Sequence, residues 1–170
     1  MGRANYGLHK TGAGQVATPG RAKQADEEYM PIRLPRRRSS KWPSIVVESG
    51  YMDTRPTLKD NAQWWLDESG GDVKGVITTC VSKSKREIVF DLWVSSGNNN
   101  DTNMIMAQQS VTVTKISANA TTRVSGGPFV VAFEDLFLRP ADGPEHDLVF
   151  DDQDLTWIAE TTWDIQFSSH

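Results

Sequence analysis

The stretch SIVVESGYMDTRPTLKDNAQWWLDESGGDVKGVITTCV, residues 44–81, determines the fold class of this 170-residue chain. Its opening, SIVVESGY, is rich in β-branched residues and predicts a buried strand. Its centre predicts a helix, because Thr54 suits the cap, Pro56 suits the first turn and apolar residues recur on one face. Gly70 and Gly71 end that helix, and VKGVITTCV predicts the next strand. This succession indicates a sheet with a helix packed on it.

Further elements on both sides of this stretch extend the sheet. The run EIVFDLWV predicts a strand that forms a hairpin with VKGVITTCV through the polar turn SKSKR. Upstream, residues 26–30 predict a short extended element, and downstream QSVTVTKIS and PFVVAFE predict strands. The end of the chain predicts a helix capped by Asp152 or Asp154. The expected fold class is therefore α/β, in the α+β sense, with a mixed central sheet flanked by helices.

Length and composition indicate one globular domain. A chain of 170 residues and 18.9 kDa can bury one sizeable core, and we expect residues 24–170 to form a single domain. Residues 1–23 lack a clear periodicity and are expected to be loosely ordered or to form one marginal strand. No run approaches the roughly 18 apolar residues of a membrane span, and the N-terminus lacks the apolar core of a secretory signal. Together with the lone Cys80, these features predict an intracellular protein, cytoplasmic or nuclear.

Charge is distributed unevenly along the chain. The net charge is −4, yet residues 1–41 carry 9 Lys and Arg against 3 Asp and Glu. The densest basic block is RRRSSK, whose cations are Arg36, Arg37, Arg38 and Lys41. Such a block is typical of a solvated loop, a nuclear-import signal or a surface that contacts phosphate. Nucleic acid is therefore a candidate partner, although the pI near 5.3 argues against a broad basic surface.

Glu48 raises a question of chemistry, because it ends a strand that is otherwise expected to be buried. A buried carboxylate is costly unless it is paired, hydrogen-bonded or bound to a metal. One interpretation is that Glu48 reaches the exposed face or meets a Lys or Arg side chain. The other is that Asp26, on the earlier extended element, lies beside Glu48 at one edge of the sheet. An oxygen-preferring divalent cation, Mg²⁺ or Mn²⁺, would then relieve the repulsion between the two acids.

The chain resembles a group of uncharacterised fungal proteins of the restriction-endonuclease-like, PD-(D/E)XK nuclease superfamily. The resemblance rests on GRAKQADEEYMP, on KWPSIVVESGYMDTRPTLKDNAQWWLDESGGDVKGVIT and on FVVAFEDLFLRP. It spans about residue 20 to the C-terminus and is most specific over residues 42–80. It implies a restriction-endonuclease-like core in which Asp26 and Glu48 are the catalytic acids that bind the metal. The attacking water would be oriented by Lys59, with Lys74 and Gln63 as supporting residues.

Three departures from the family pattern bear on activity. Ala25 stands where the motif has Pro, which has no chemical role. Gly50 stands where the motif has its lysine, and this removes a catalytic group. The first helix that usually precedes the first strand of the fold is expected to be missing or shortened here.

Two classes of function follow. The first is a divalent-metal-dependent nuclease that hydrolyses phosphodiester bonds, in which the basic loop of residues 36–41 lies beside the acids and holds a nucleic-acid backbone. The second is a catalytically inactive nuclease-fold protein that acts as a binding or interaction module. The two acids favour the first class, whereas the absent lysine favours the second.

Overall fold

The computed structural model describes residues 7–10, 14–96 and 105–168, and its main feature is a seven-stranded mixed sheet. In chain order the elements are β1 (Leu8–Lys10), β2 (Gln15–Thr18), β3 (Arg21–Gln24), β4 (Glu27–Pro31), β5 (Ile45–Tyr51), α1 (Arg55–Glu68), β6 (Gly75–Val81), β7 (Arg86–Ser95), β8 (Ile105–Lys115), β9 (Arg123–Ser125), β10 (Phe129–Val131), α2 (Phe133–Phe137), β11 (Leu148–Phe150) and α3 (Asp152–Gln166). The sheet order is β1-β4-β5-β6-β7-β8-β9, while β2 pairs with β3 and β10 with β11. The predicted α+β class with a mixed central sheet is confirmed.

The unit β5-α1-β6 is the part of the fold that the sequence predicts best. The strands β5 and β6 pair in parallel, from Ile45 opposite Gly75 to Tyr51 opposite Val81, and α1 is the crossover that such a pair requires. α1 ends at Glu68, just before Gly70 and Gly71, which have φ of +60° and +92°. Glycine adopts such angles without strain, so these two residues turn the chain back towards β6.

Alternate residues of β5 face two separate layers. Val46 and Glu48 face α1, which packs on the sheet together with the β2-β3 hairpin. Ile45 and Val47 face the opposite side, which is covered by α2, α3 and the β10-β11 pair. The period of two along a strand therefore places Glu48 under α1 and not at an exposed face.

The described part of the N-terminal segment, expected to be loose or to form one marginal strand, contains three short strands. β1 adds to the edge of the central sheet by pairing with β4, and β2 and β3 form a hairpin turned at Gly20, where φ is +94°. The hairpin is held because Val16 is buried in the same cluster as Trp42 and Trp64. The part of this segment that the structure describes therefore forms strands, while residues 1–6 and 11–13 lie outside it.

Neither residue predicted to cap the last helix, Asp152 or Asp154, is its N-cap. α3 is capped by Asp151, whose side chain accepts hydrogen bonds from the backbone N–H groups of Gln153 and Asp154. Asp154 takes the reciprocal position, because its carboxylate accepts from the N–H of Asp151. The two acids form a capping box, in which the residue that precedes the helix is the cap.

Candidate functional site

The carboxylate of Glu48 lies between β5 and α1 and is 7% exposed. Its Oε1 accepts a hydrogen bond of 2.8 Å from Nε1 of Trp65, and its Oε2 accepts a longer one of 3.4 Å from Nδ2 of Asn61. Asn61 and Trp65 are four residues apart in α1 and therefore lie on the same helix face. The cost of burying this acid is thus offset by N–H donors from one helix.

A cation also lies close to Glu48, and it comes from the β2-β3 hairpin. Nζ of Lys23 donates to Oδ1 of Asn61, so Asn61 connects the ammonium group to the carboxylate. Burial lowers the pKa of Lys23, and the charge of Glu48 acts in the opposite direction. Lys23 is also 5.9 Å from the ring centroid of Trp64, a distance at which a cation and an aromatic face attract each other.

Asp26 lies at the same end of the sheet as Glu48. It immediately precedes β4, and the register that pairs Glu27 with Val47 brings it beside β5. Its Oδ2 accepts a hydrogen bond of 2.7 Å from the backbone N–H of Ser49, the residue after Glu48. The side chain of Asp26 is exposed, whereas that of Glu48 is buried. The two acids are neighbours, but they serve different hydrogen-bond donors.

The carboxylate oxygens of Glu48 and Asp26 are poorly suited as ligands for Mg²⁺ or Mn²⁺. A divalent cation of this type is bound by several carboxylate or carbonyl oxygens and by water. Here both oxygens of Glu48 and one oxygen of Asp26 already accept N–H groups, and the ammonium of Lys23 supplies a positive charge near Glu48. Within residues 7–10, 14–96 and 105–168, no three His, Cys, Asp or Glu side chains are grouped so that they could hold a metal ion.

The other residues that the resemblance places at the site make different contacts. Lys59 lies 5.7 Å from the ring centroid of Trp93. Gln63 donates to Asp67 at 2.7 Å and accepts from the N–H of Ile105. Nζ of Lys74 donates to the carbonyl of Gly71 at 2.7 Å, at the end of β6 away from Glu48. The lysine that the structure connects to Glu48, through Asn61, is Lys23, which sequence analysis missed, while the role predicted for Lys59 stays a prediction.

Position 50, where the resemblance would place a lysine, is crowded by the start of α1. A Cβ atom at this position would lie 2.7 Å from Oγ1 of Thr54 and 3.1 Å from Cδ1 of Leu58. The Thr54 side chain cannot easily rotate away, because its hydroxyl donates a hydrogen bond of 2.8 Å to the carbonyl of Tyr51. A side chain at position 50 would therefore require Thr54 or the start of α1 to shift.

The basic loop lies at the opposite end of β4 and β5 from the acids, and not beside them as expected. The physical reason is the antiparallel pairing of the two strands. The loop joins the end of β4 to the start of β5, whereas Asp26 and Glu48 lie near the start of β4 and the end of β5. Lys41 lies 5.2 Å from the ring centroid of Trp42, while Arg36 and Arg37 are exposed.

Arg38 is a structural residue and not a surface contact. Its side chain is 9% exposed and forms an ion pair of 3.1 Å with Asp72. Its guanidinium also donates to the backbone carbonyls of Trp42, Pro43 and Asp72. It therefore fixes the loop against the start of β6 and is not free to bind a partner.

A second buried acid, Asp91, was missed by sequence analysis. Asp91 of β7 is 0% exposed. Its carboxylate accepts a hydrogen bond of 2.8 Å from Arg55 and one of 2.6 Å from the hydroxyl of Ser110. The register places Glu48 opposite Thr78 and Thr78 opposite Asp91, so a row of polar residues crosses the sheet under α1. The available signal was an acid inside the apolar run EIVFDLWV, where a period of two puts it on the face of Val89.

Comparisons with known proteins give no relative for this chain: no family model, no curated protein and no solved structure matches it. Among the helices that the structure describes, none has the length and apolar character needed to cross a membrane.

Proposed function

We propose that this chain is a non-catalytic binding module built on a restriction-endonuclease-like core. It would hold a partner on its surface and would not hydrolyse phosphodiester bonds. The observation that carries this proposal is the environment of Glu48, whose two oxygens accept N–H groups from Trp65 and Asn61. In this interpretation Glu48 attaches α1 to the sheet, which is a structural role for a carboxylate that the family uses for catalysis.

Two further observations support the loss of catalysis. Gly50 occupies the place of the motif lysine, and a side chain added there would require Thr54 or the start of α1 to shift. Lys23 is near Glu48, but its ammonium donates to Asn61, which in turn donates to Glu48. A lysine engaged in this way balances a buried negative charge and does not hold a water molecule for attack.

The test is a titration with Tb³⁺, a hard cation that prefers oxygen ligands, followed by nuclease assays with Mg²⁺ and Mn²⁺. The indole of Trp65 would sensitise Tb³⁺ luminescence if the ion bound to Glu48, because the two side chains are in contact. We expect the same signal from wild type, Glu48→Gln and Asp26→Asn, and no cleavage of plasmid or single-stranded DNA. Asp164→Asn, which removes an exposed acid of α3, is the matched control.

Metal-dependent phosphodiester hydrolysis is the second candidate. The observation that favours it is the position of Asp26 beside the residue that follows Glu48. Luminescence and DNA cleavage that are lost in both Glu48→Gln and Asp26→Asn, but kept in Asp164→Asn, would support this candidate and overturn the proposed binding module.

A further inference from the structure

An open cleft of about 590 Å³ lies at the edge of the sheet where β5 and β6 begin. One wall is the turn of residues 35–38, and the facing wall is formed by α2 and the residues that follow it. This volume is within the range of pockets that bind small molecules. Because β5 and β6 are parallel, the cleft is at the opposite end of these strands from the acid site.

The turn that forms the first wall is held in an unfavourable backbone conformation. The N–H of Arg38 donates to the carbonyl of Pro35 at 3.1 Å, which closes a four-residue turn. Arg37, the third residue of this turn, has φ of +67°, a region that normally favours Gly or Asn. The turn is maintained because Arg38 is bound to Asp72 and to three carbonyls. Backbone strain that the surrounding structure enforces is concentrated at functional sites.

The consequence of this turn is that two cations remain available at the cleft. Arg36 and Arg37 are exposed and make no hydrogen bond or ion pair with another residue in the described part of the chain. By contrast, Arg38 is neutralised by Asp72, and Arg139 on the facing wall forms a bidentate pair with Glu145 at 2.6 and 2.7 Å. Two adjacent unpaired guanidinium groups suit a phosphate, which they can contact through several N–H groups.

The facing wall carries the opposite charge. Glu134 and Asp135 both line the cleft. Burial raises the pKa of Asp135, while the charge of Lys74 acts to lower it. These carboxyl groups would repel a second phosphate but would accept hydrogen bonds from N–H groups. The cleft therefore suits a ligand that is anionic at one end and has N–H donors at the other, which excludes a simple polyanion.

We propose that this cleft binds a nucleotide, either free or within a single strand, with its phosphate at Arg36 and Arg37 and the N–H edge of its base at Glu134 and Asp135. A nucleobase such as guanine presents adjacent N–H donors, and a carboxylate accepts them in the way that Glu and Asp accept from bases. This inference rests on the proposed binding function and identifies its partner.

The test measures binding by calorimetry and fluorescence anisotropy in EDTA at one fixed salt concentration, because phosphate contacts depend on salt. The probes are guanosine 5′-monophosphate and a labelled mixed-sequence single-stranded DNA 12-mer. Guanosine, which has the base but no phosphate, and inorganic phosphate, which has no base, are the ligand controls. EDTA removes divalent metal, so the result does not depend on whether Glu48 binds one.

We expect Arg36→Gln combined with Arg37→Gln to weaken nucleotide binding roughly tenfold or more. Lys85→Gln combined with Arg123→Gln removes the same charge from exposed positions outside the cleft and should change binding by less than about twofold. Asp135→Asn should weaken binding of the nucleotide and leave that of inorganic phosphate unchanged. Binding of the 12-mer without the mononucleotide would identify a strand as the source of the nucleotide.

Two results would overturn the inference. One is equal weakening by the two double variants, which would mean that net charge and not the cleft attracts the ligand. The other is no binding of either nucleotide probe to the wild-type protein. Neither result would support metal-dependent cleavage, because that candidate function is tested separately with Glu48→Gln and Asp26→Asn.

Discussion

Both faces of the central sheet bury a tryptophan, but the two side chains are held in different ways. Trp65, under α1, is 0% exposed and donates its indole N–H to Glu48. Trp163, on α3 against the opposite face, is 2% exposed, and its indole nitrogen has no hydrogen-bond partner among the described residues. The first tryptophan is positioned by a directional contact, whereas the second is positioned by packing alone.

This difference shows how each face holds its helix. The α1 face contains buried polar residues, among them Glu48, Thr78 and Asp91, and each of these three accepts a hydrogen bond from a neighbour. The α3 face has an apolar core and includes a cavity of about 270 Å³ between the sheet and the β10-β11 pair. Hydrogen bonds to buried acids allow few positions for α1, while apolar contacts are less directional and tolerate small shifts of α3.

The largest effect is expected from removing Asp91. Asp91→Ala removes the buried acceptor of both Arg55 and Ser110 and leaves a cavity, so we expect a loss of about 2–4 kcal/mol in the free energy of unfolding. The loss stays below that of a fully buried ion pair because the side chain of Arg55 is 42% exposed and can be solvated. Chemical denaturation measures it. A loss under about 0.5 kcal/mol would show that the polar row does not stabilise the α1 face.

A matched pair of substitutions compares the two tryptophans directly. Trp65→Phe and Trp163→Phe remove the same atoms, but only the first leaves a buried carboxylate without its indole donor. We therefore expect Trp65→Phe to be more destabilising by about 1–3 kcal/mol in urea unfolding. Equal losses would mean that Trp65 acts through packing only, and the proposed structural role of Glu48 would then lose its main support.

Two glycines provide a smaller test of the same comparison. Gly50→Ala places a methyl group against the hydrogen-bonded hydroxyl of Thr54, and we expect a loss of about 1–2 kcal/mol. Gly75→Ala meets Cδ1 of Leu92 and Cδ1 of Ile45, on the opposite face, at 3.1 and 3.3 Å. These are ends of flexible side chains, so the loss should be smaller. Thermal unfolding of both variants measures the two losses of stability. A greater loss for Gly75→Ala would contradict the view that α1 is the more constrained layer.

The smallest effect is expected away from both faces, at the pair of Arg139 and Glu145. Hydrogen bonds from Arg139 lower the pKa of Glu145 from its ordinary value of 4.5 to about 2. A lowered pKa stabilises the folded state above pH 4.5, and this contribution disappears as the pH falls to about 2. The stability difference between wild type and Glu145→Gln should therefore shrink over this pH range. A difference that stays constant with pH would show that the pair contributes nothing through its charge.

The sequence alone determined the elements whose signals are local. The helix over Arg55–Glu68 follows from its proline, its apolar face and its terminal glycines, and the strands on either side follow from their β-branched runs. Thr54 is its N-cap residue as predicted, but the Thr54 side chain caps no helix N–H and donates to the carbonyl of Tyr51. The sequence also showed that Glu48 ends a strand expected to be buried, and left open whether its carboxylate is exposed, paired or bound to a metal. All of these signals lie within a few residues of the feature they predict, so no knowledge of distant contacts was required.

Only the tertiary structure decided which partners Glu48 has. Lys23 reaches the site because the β2-β3 hairpin, which has no strong pattern in the sequence, folds onto α1. The basic loop was expected beside Glu48 and lies at the other end of the strands, because strand direction is set by pairing and not by local sequence. Periodicity determines which face a residue occupies. The neighbours it meets there depend on the order and direction of strands that are far apart in the chain.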